Sequence, residues 1–135
     1  MPQALIREFI AHQKLLAASP DMNVRDAVQW MVRENRAALI IERDRHMLGI
    51  FTENDALGRV LAEGRDPVRT KLHEVMTRNP VTLTADQPLL EAFNTMRQFG
   101  FRHVPITDND HPAGIISLRD FLDLDMNHLN RLMPR

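Results

Sequence analysis

No cysteine occurs among the 135 residues. Disulfides, thiolate nucleophiles and Cys-ligated zinc are thereby excluded, and redox conditions place no constraint on compartment. A surplus of charge is also lacking, since 17 basic and 18 acidic side chains leave a formal charge of -1. A dedicated nucleic-acid or anionic-membrane binder would carry a basic excess. No apolar run approaches the ~20 residues that cross a bilayer. Arg7 and Glu8 interrupt the apolar N-terminus and no small-residue cleavage pattern follows, so a secretory leader is not expected and a cytoplasmic setting is. Signatures of catalysis are missing too: no glycine-rich phosphate loop, no His-x-x-x-His or His-Glu-x-x-His spacing, no nucleophile set beside a base. The expectation is a protein without catalysis of its own.

What is present is an ordinary globular composition, 44% hydrophobic and 26% charged, on a chain long enough to bury a core. Within it one seven-residue phrase is written twice, as Gly49-Ile50-Phe51-Thr52-Glu53-Asn54-Asp55 and as Gly114-Ile115-Ile116-Ser117-Leu118-Arg119-Asp120. Each opens on glycine and a short apolar run, which reads as a buried strand. A hydroxyl residue follows at the N-cap position, then a carboxylate three residues later, then helical spacing. The plain reading is a helix start, a capping box with Asp in place of the usual Glu or Gln. The functional reading is a corner that holds a nucleotide. Free backbone N–H groups at a helix start suit phosphate, a Thr or Ser hydroxyl adds a donor, and a carboxylate accepts from two adjacent ribose hydroxyls.

In chain order, residues 3–14 read as a short amphipathic helix with Leu5, Phe9, Ile6 and Ile10 on one side. Residues 22–35 form a stronger helix, with Val24, Ala27, Val28 and Met31 at three- and four-residue steps and Asn35 suited to the left-handed position past its end. Strands at 38–42 and 47–51 flank the polar turn 43–46, and Thr52 caps a helix to about Ala62. After a break at 64–67, residues 70–76 read as a turn or two of helix. The second half repeats the plan: a strand at 81–83, a helix announced by Asp86 and Pro88 and ended by Gly100, strands at 103–107 and 113–116, and a helix capped by Ser117. Leu129, Leu132 and Met133 suggest a helical tail.

One half lies on the other without a gap. A shift of 65 positions carries Asp21 onto Asp86, Ala27 onto Ala92, Met31 onto Met96, Ile41 onto Ile106 and His46 onto His111. The same shift matches Gly49 with Gly114, Asp55 with Asp120 and Leu57 with Leu122, while Val28/Phe93 and Leu39/Val104 exchange one apolar residue for another. The expected fold is therefore α/β, two β-α-β-β-α repeats packed about a pseudo-two-fold axis. Two equivalent clefts should result, each near one hydroxyl/carboxylate pair.

These phrases, with Val75-Met76-Thr77 and Pro80-Val81-Thr82 at the entry to the second half and the strand His103-Val104-Pro105-Ile106, make the chain resemble a tandem pair of cystathionine-β-synthase (CBS) domains, the Bateman module. The resemblance covers residues 15–126, and the stretch from Thr52 through Thr77 is similar to small stand-alone bacterial members. It implies an N-terminal helix at 1–14, repeats at 15–69 and 70–126, and a tail at 127–135. It further implies a regulatory module whose clefts bind AMP, ADP, ATP, NAD or S-adenosylmethionine, which pairs into disc-like homodimers and signals to a partner protein not yet identified. Asp55 and Asp120 match the ribose-binding aspartate, and Thr52 and Ser117 the hydroxyl residue near phosphate. Arg102 and His103 match positions where basic residues face phosphates, and the backbone around Val81-Thr82 and Val104-Pro105 matches the part that holds the base. Departures lie in repeat one, where Ala38-Leu39-Ile40 replaces His103-Val104-Pro105 and Asn54 stands where arginine is common. The rival reading is a ligand-free dimeric scaffold.

His46 and His111, both in polar turns, read as exposed turn residues and not as metal ligands. Trp30, whose repeat mate is Thr95, is expected either against the N-terminal helix or as an anchor of a dimer interface. The methionines read as core filler. Arg59, Arg65, Arg69, Lys71 and Arg78, interleaved with acids, read as a solvated face.

Overall fold

The computed structural model describes residues 4–124; the tail expectation at Leu129, Leu132 and Met133 falls outside them. Along the chain run α1 (Ile6–Ile10), β1 (Ala17–Ala18), α2 (Val24–Glu34), β2 (Ala38–Arg43), β3 (His46–Thr52) and α3 (Glu53–Asp55). The last continues as a π-helical segment, Ala56–Leu61. Then come α4 (Leu72–Val75), β4 (Thr77–Arg78), β5 (Leu83–Thr84), α5 (Leu89–Phe99), β6 (His103–Asp108), β7 (His111–Ser117) and a final helix, α6, at 118–124. One sheet has the order β1-β2-β3-β4, the other β5-β6-β7. Among the described residues no helix is long and apolar enough to cross a membrane.

The 65-residue shift is also the register of the structure. Leu39 pairs with Phe51 and Val104 with Ile116; Ala18 pairs with Ile41 and Leu83 with Ile106. Even the irregularity between Ile41 and Glu42 recurs between Ile106 and Thr107. Both hairpins turn through two left-handed residues, Asp44 and Arg45 in one, Asn109 and Asp110 in the other, because such turns match the twist of the strands they join. Both long helices end on a left-handed residue, Asn35 (φ 53°) and Gly100 (φ 73°). Asparagine and glycine tolerate that conformation best.

Period-two alternation on β2 builds two cores at once. Leu39 and Ile41 point into the cluster under α2, with Val24, Ala27 and Met31. Ala38 and Ile40 point the other way and meet Ile50 and the second repeat's Ile115. Ile50 and Ile115 are repeat mates, and so are His46 and His111, whose rings stand 6.1 Å apart. Equivalent residues that face one another in this way define the expected pseudo-two-fold axis.

Each repeat is completed by the segment that precedes the other. Leu72, Val75 and Met76 of the 70–76 stretch sit in the core of repeat one, and Leu72 N–H donates to Met22 O at 2.9 Å. Ile6 and Ile10 of α1 sit in the core of repeat two, and Ile6 N–H donates to Gln87 O at 3.0 Å. Arg7 fixes this docking outside, with Nη1 2.6 Å from Asp108 and Nη2 2.7 Å from Asp86. Ile6 and Ile10 are thus the buried pair of α1, and the helix is shorter than the expected 3–14. Trp30 lies half-buried against the core of repeat one, while α1 packs on repeat two.

The exchange is unequal at one point. In repeat one, β4 adds to the edge of β3, pairing Gly49 with Arg78 and Ile50 with Thr77. In repeat two no described strand takes that place on β7; the side chain of Gln13 does. Its Nε2 donates to Ile115 O and its Oε1 accepts from Ile115 N–H, both at 2.8 Å. The shift of 65 carries Gln13 onto Arg78, so one amide side chain stands where a strand stands in the other half. Both glycines of the repeated phrase are needed for this closeness. A Cβ on Gly49 would meet Thr77 O at 2.5 Å, and one on Gly114 would meet Gln13 Oε1 at 2.7 Å.

Candidate ligand-binding clefts

Each strand-to-helix corner opens on a cleft whose far wall belongs to the other repeat. Ser117 and Asp120, with Ile115 beneath them, face residues 35–38 across a cleft of about 820 Å³. Ile50, Thr52 and Asn54 face residues 100–103, with Pro80 and Val81 alongside, across about 240 Å³. Arg102 and His103 line both clefts and form the wall between them.

The corners are built alike and finished differently. Thr52 is extended (φ -120°, ψ 167°), and its hydroxyl accepts from Asp55 N–H at 3.3 Å while Asp55 Oδ2 accepts from Thr52 N–H at 2.9 Å. The same reciprocal cap ties Ser117 to Asp120, at 3.2 and 2.7 Å. Asp55, however, is only 8% exposed, and its Oδ1 lies 3.5 Å from Arg59 Nε. Arg59 in turn donates to Val75 O and Met76 O at 3.3 and 2.8 Å. Asp55 is thereby drawn behind its corner, whereas Asp120 is half-buried on the cleft wall.

Of the residues expected to contact ligand, Ser117 and Asp120 line the larger cleft, Thr52, Val81 and Pro105 the smaller, and Arg102 and His103 both. Val104 is fully buried in the core of repeat two and lies outside both linings. Thr82 is exposed and lies outside both linings. Sequence reasoning passed over Arg36, Arg119, Glu53 and Gln13, all on the larger cleft. For Arg119 the signal was present, since it stands two residues past Ser117 where repeat one has Asn54. Gln13 reaches the site through the docking of the N-terminal segment on repeat two, and Arg36 through the packing of one repeat on the other.

Burial pulls the His103 imidazole below its ordinary pKa; Glu53 and Asp120 push it back up, and Arg102 lowers it further. His46 and His111 are brought together across the axis, and His111 Nδ1 lies 3.0 Å from Arg45 O. Among the described residues no group of three or more ligating side chains could hold a metal.

The CBS-domain family model matches this chain twice, over residues 6–62 and 72–127. The chain belongs to the CBS-domain family, as a tandem pair. A CBS domain-containing protein of Arabidopsis thaliana, CBSCBSPB1, is 38% identical over 98 residues, covering 72% of this chain and 18% of its own length. The chain spans about a fifth of the length of that relative and of two others from the same plant. Among solved structures, the CBS domain pair of protein MJ0100, in complex with 5′-methylthioadenosine and S-adenosyl-L-methionine, has a TM-score of 0.82 at 23% identity, covering 94% of this chain and 99% of the other. A hexameric CBS-CP12 protein from bloom-forming cyanobacteria has a TM-score of 0.79 at 26% identity, covering 90% and 68%. CBS-domain proteins are regulatory modules.

Proposed function

We propose that this chain is a non-catalytic regulatory module that binds an adenosine-containing ligand (AMP, ADP, ATP, NAD or S-adenosylmethionine) between its repeats and signals occupancy to a partner protein. One observation carries the reading: the Ser117–Asp120 corner opens on a cleft of about 820 Å³ that also holds Arg36, Arg102 and Arg119. A carboxylate on such a wall accepts from vicinal ribose hydroxyls, and guanidinium groups meet phosphate oxygens in pairs. The adenosyl ligands of the MJ0100 pair support the nucleoside part of the claim. Self-association is supported by exposed apolar side chains on the helices that follow the two corners, Leu57 and Leu61 after α3 and Leu118, Phe121 and Leu122 on α6, of which Leu57 and Leu122 are repeat mates. A homodimer through these faces would carry the signal, provided that ligand binds its two arrangements with different affinity.

Calorimetry and thermal shift with the five ligands test this. At least one should raise the melting temperature, and Asp120→Ala should weaken it roughly tenfold to a hundredfold, the worth of one charged hydrogen bond. No shift with any of them, and no small molecule released on denaturing the purified protein, would sink the reading in favour of a ligand-free scaffold.

A further inference from the structure

Resting on that reading, we propose that the chain takes one phosphorylated ligand, in the Ser117 cleft, and that the Thr52 corner is a structural latch which binds none. Repeat symmetry alone would give two equal sites. Three substitutions between repeat mates break the equality.

The first decides what the acid does. Arg59 stands four residues after Asp55, reaches its Oδ1, and pins it to the carbonyls at the end of α4. Four residues after Asp120 stands Leu124. Among the described residues the cap bond from Ser117 N–H is what Asp120 accepts, so its remaining acceptor sites face the cleft. A carboxylate already serving a guanidinium, a hydroxyl and an amide has little left for a ribose; one serving a single amide has most of its capacity.

The second and third decide where phosphate goes. Asn54 in repeat one becomes Arg119 in repeat two, and Phe101 on the wall of the smaller cleft corresponds to Arg36 on the wall of the larger. Among the described residues the smaller cleft has no guanidinium besides Arg102, which the larger cleft shares. Ile50, Pro80, Val81, Phe101 and Pro105 make it largely apolar. Phosphate in the larger cleft engages Arg102, and the smaller then retains no arginine to offer. Glu53 and Asp123 on the larger cleft offset part of its positive charge, so affinity depends on individual arginine contacts and not on a diffuse field.

Calorimetric titration of the full chain with ADP and with adenosine, supported by thermal melts, tests the inference. The expected stoichiometry is one ADP per chain. Asp120→Asn should weaken ADP at least tenfold, while Asp55→Asn lowers the melting temperature and leaves affinity within about threefold. Arg119→Ala should weaken ADP about tenfold or more and adenosine by less than twofold. Leu124 is exposed, so Leu124→Arg should fold; it should supply the missing latch and weaken ADP as Asp120→Asn does, while Leu124→Ala does not. Two ADP per chain, or equal losses in the two aspartate variants, would overturn this inference and leave the proposed function standing. No binding of ADP to the unaltered chain would also overturn this inference, and only the failure of all five ligands would overturn the proposed function with it.

Discussion

Asp55 and Asp120 occupy the same place in two copies of one corner, yet one is shut in and the other looks onto a cleft. Neither the cap geometry nor the strand register separates them. The separation comes from one turn further along the helix, where Arg59 or Leu124 follows. An acid that caps a helix is available to a ligand only when nothing behind it competes, so a repeated motif does not by itself guarantee a repeated site.

The comparison extends to the glycines that open the two phrases. Gly49→Ala should cost more than Gly114→Ala, by about 1–3 kcal/mol in urea denaturation. A methyl at Gly49 would strike the Thr77 carbonyl, which is backbone held in a strand pair. At Gly114 it would strike the end of Gln13 first and the Ile10 side chain at 3.0 Å, and the amide can swing away. Equal losses would mean that Gln13 is held as rigidly as a strand.

A smaller difference is expected between the acids. Asp55→Ala removes a buried partner of the cap and of Arg59, and should cost about 1–2 kcal/mol. Asp120→Ala removes a cap partner that water can partly replace, and should cost about 0.5–1 kcal/mol. Chemical denaturation of the two variants reads the gap, and a reversed order would place the latch in the wrong repeat.

The smallest effect concerns pH. Because burial depresses the pKa of His103 in the folded chain, the unfolded chain binds the proton more readily. Stability conferred by the neutral ring is therefore complete above the unfolded-state value of about 6.5 and falls as pH drops below it. Between pH 7 and 5 the melting temperature should decline less for His103→Gln than for the unaltered chain, and identical slopes would remove His103 as the cause. Asp108 is held below its ordinary range, chiefly by its hydrogen bond to Arg7.

The repeat was legible because both halves keep the same length between every strand, turn and cap. Apolar pairs such as Leu39/Val104 survive exchange, and polar ones such as His46/His111 are identical. The strands β1 and β4 were not legible. Each has two residues and no period of its own, and exists because a partner distant in sequence offers hydrogen bonds. For the same reason α4 was visible as a helix, but not its allegiance to the first repeat. At the site, the residues of the repeated phrase could be named in advance. Arg36 and Gln13 could not, since they belong to no motif and matter only for what they come to face. Arg59 read as part of a solvated face; its partners, Val75 O and Met76 O, lie 16 and 17 residues away.

Gln13 has a consequence for how this molecule meets others. Freeing the border of β3 means peeling off a strand, whereas the border of β7 is closed by a side chain that a few bond rotations withdraw. Withdrawal would bare the Ile115 peptide to any extended polypeptide that arrives, the usual start of sheet extension between molecules. Ile6, Ile10 and Arg7 hold the rest of residues 4–13 in place, so the amide of Gln13 alone is the movable closure of that border.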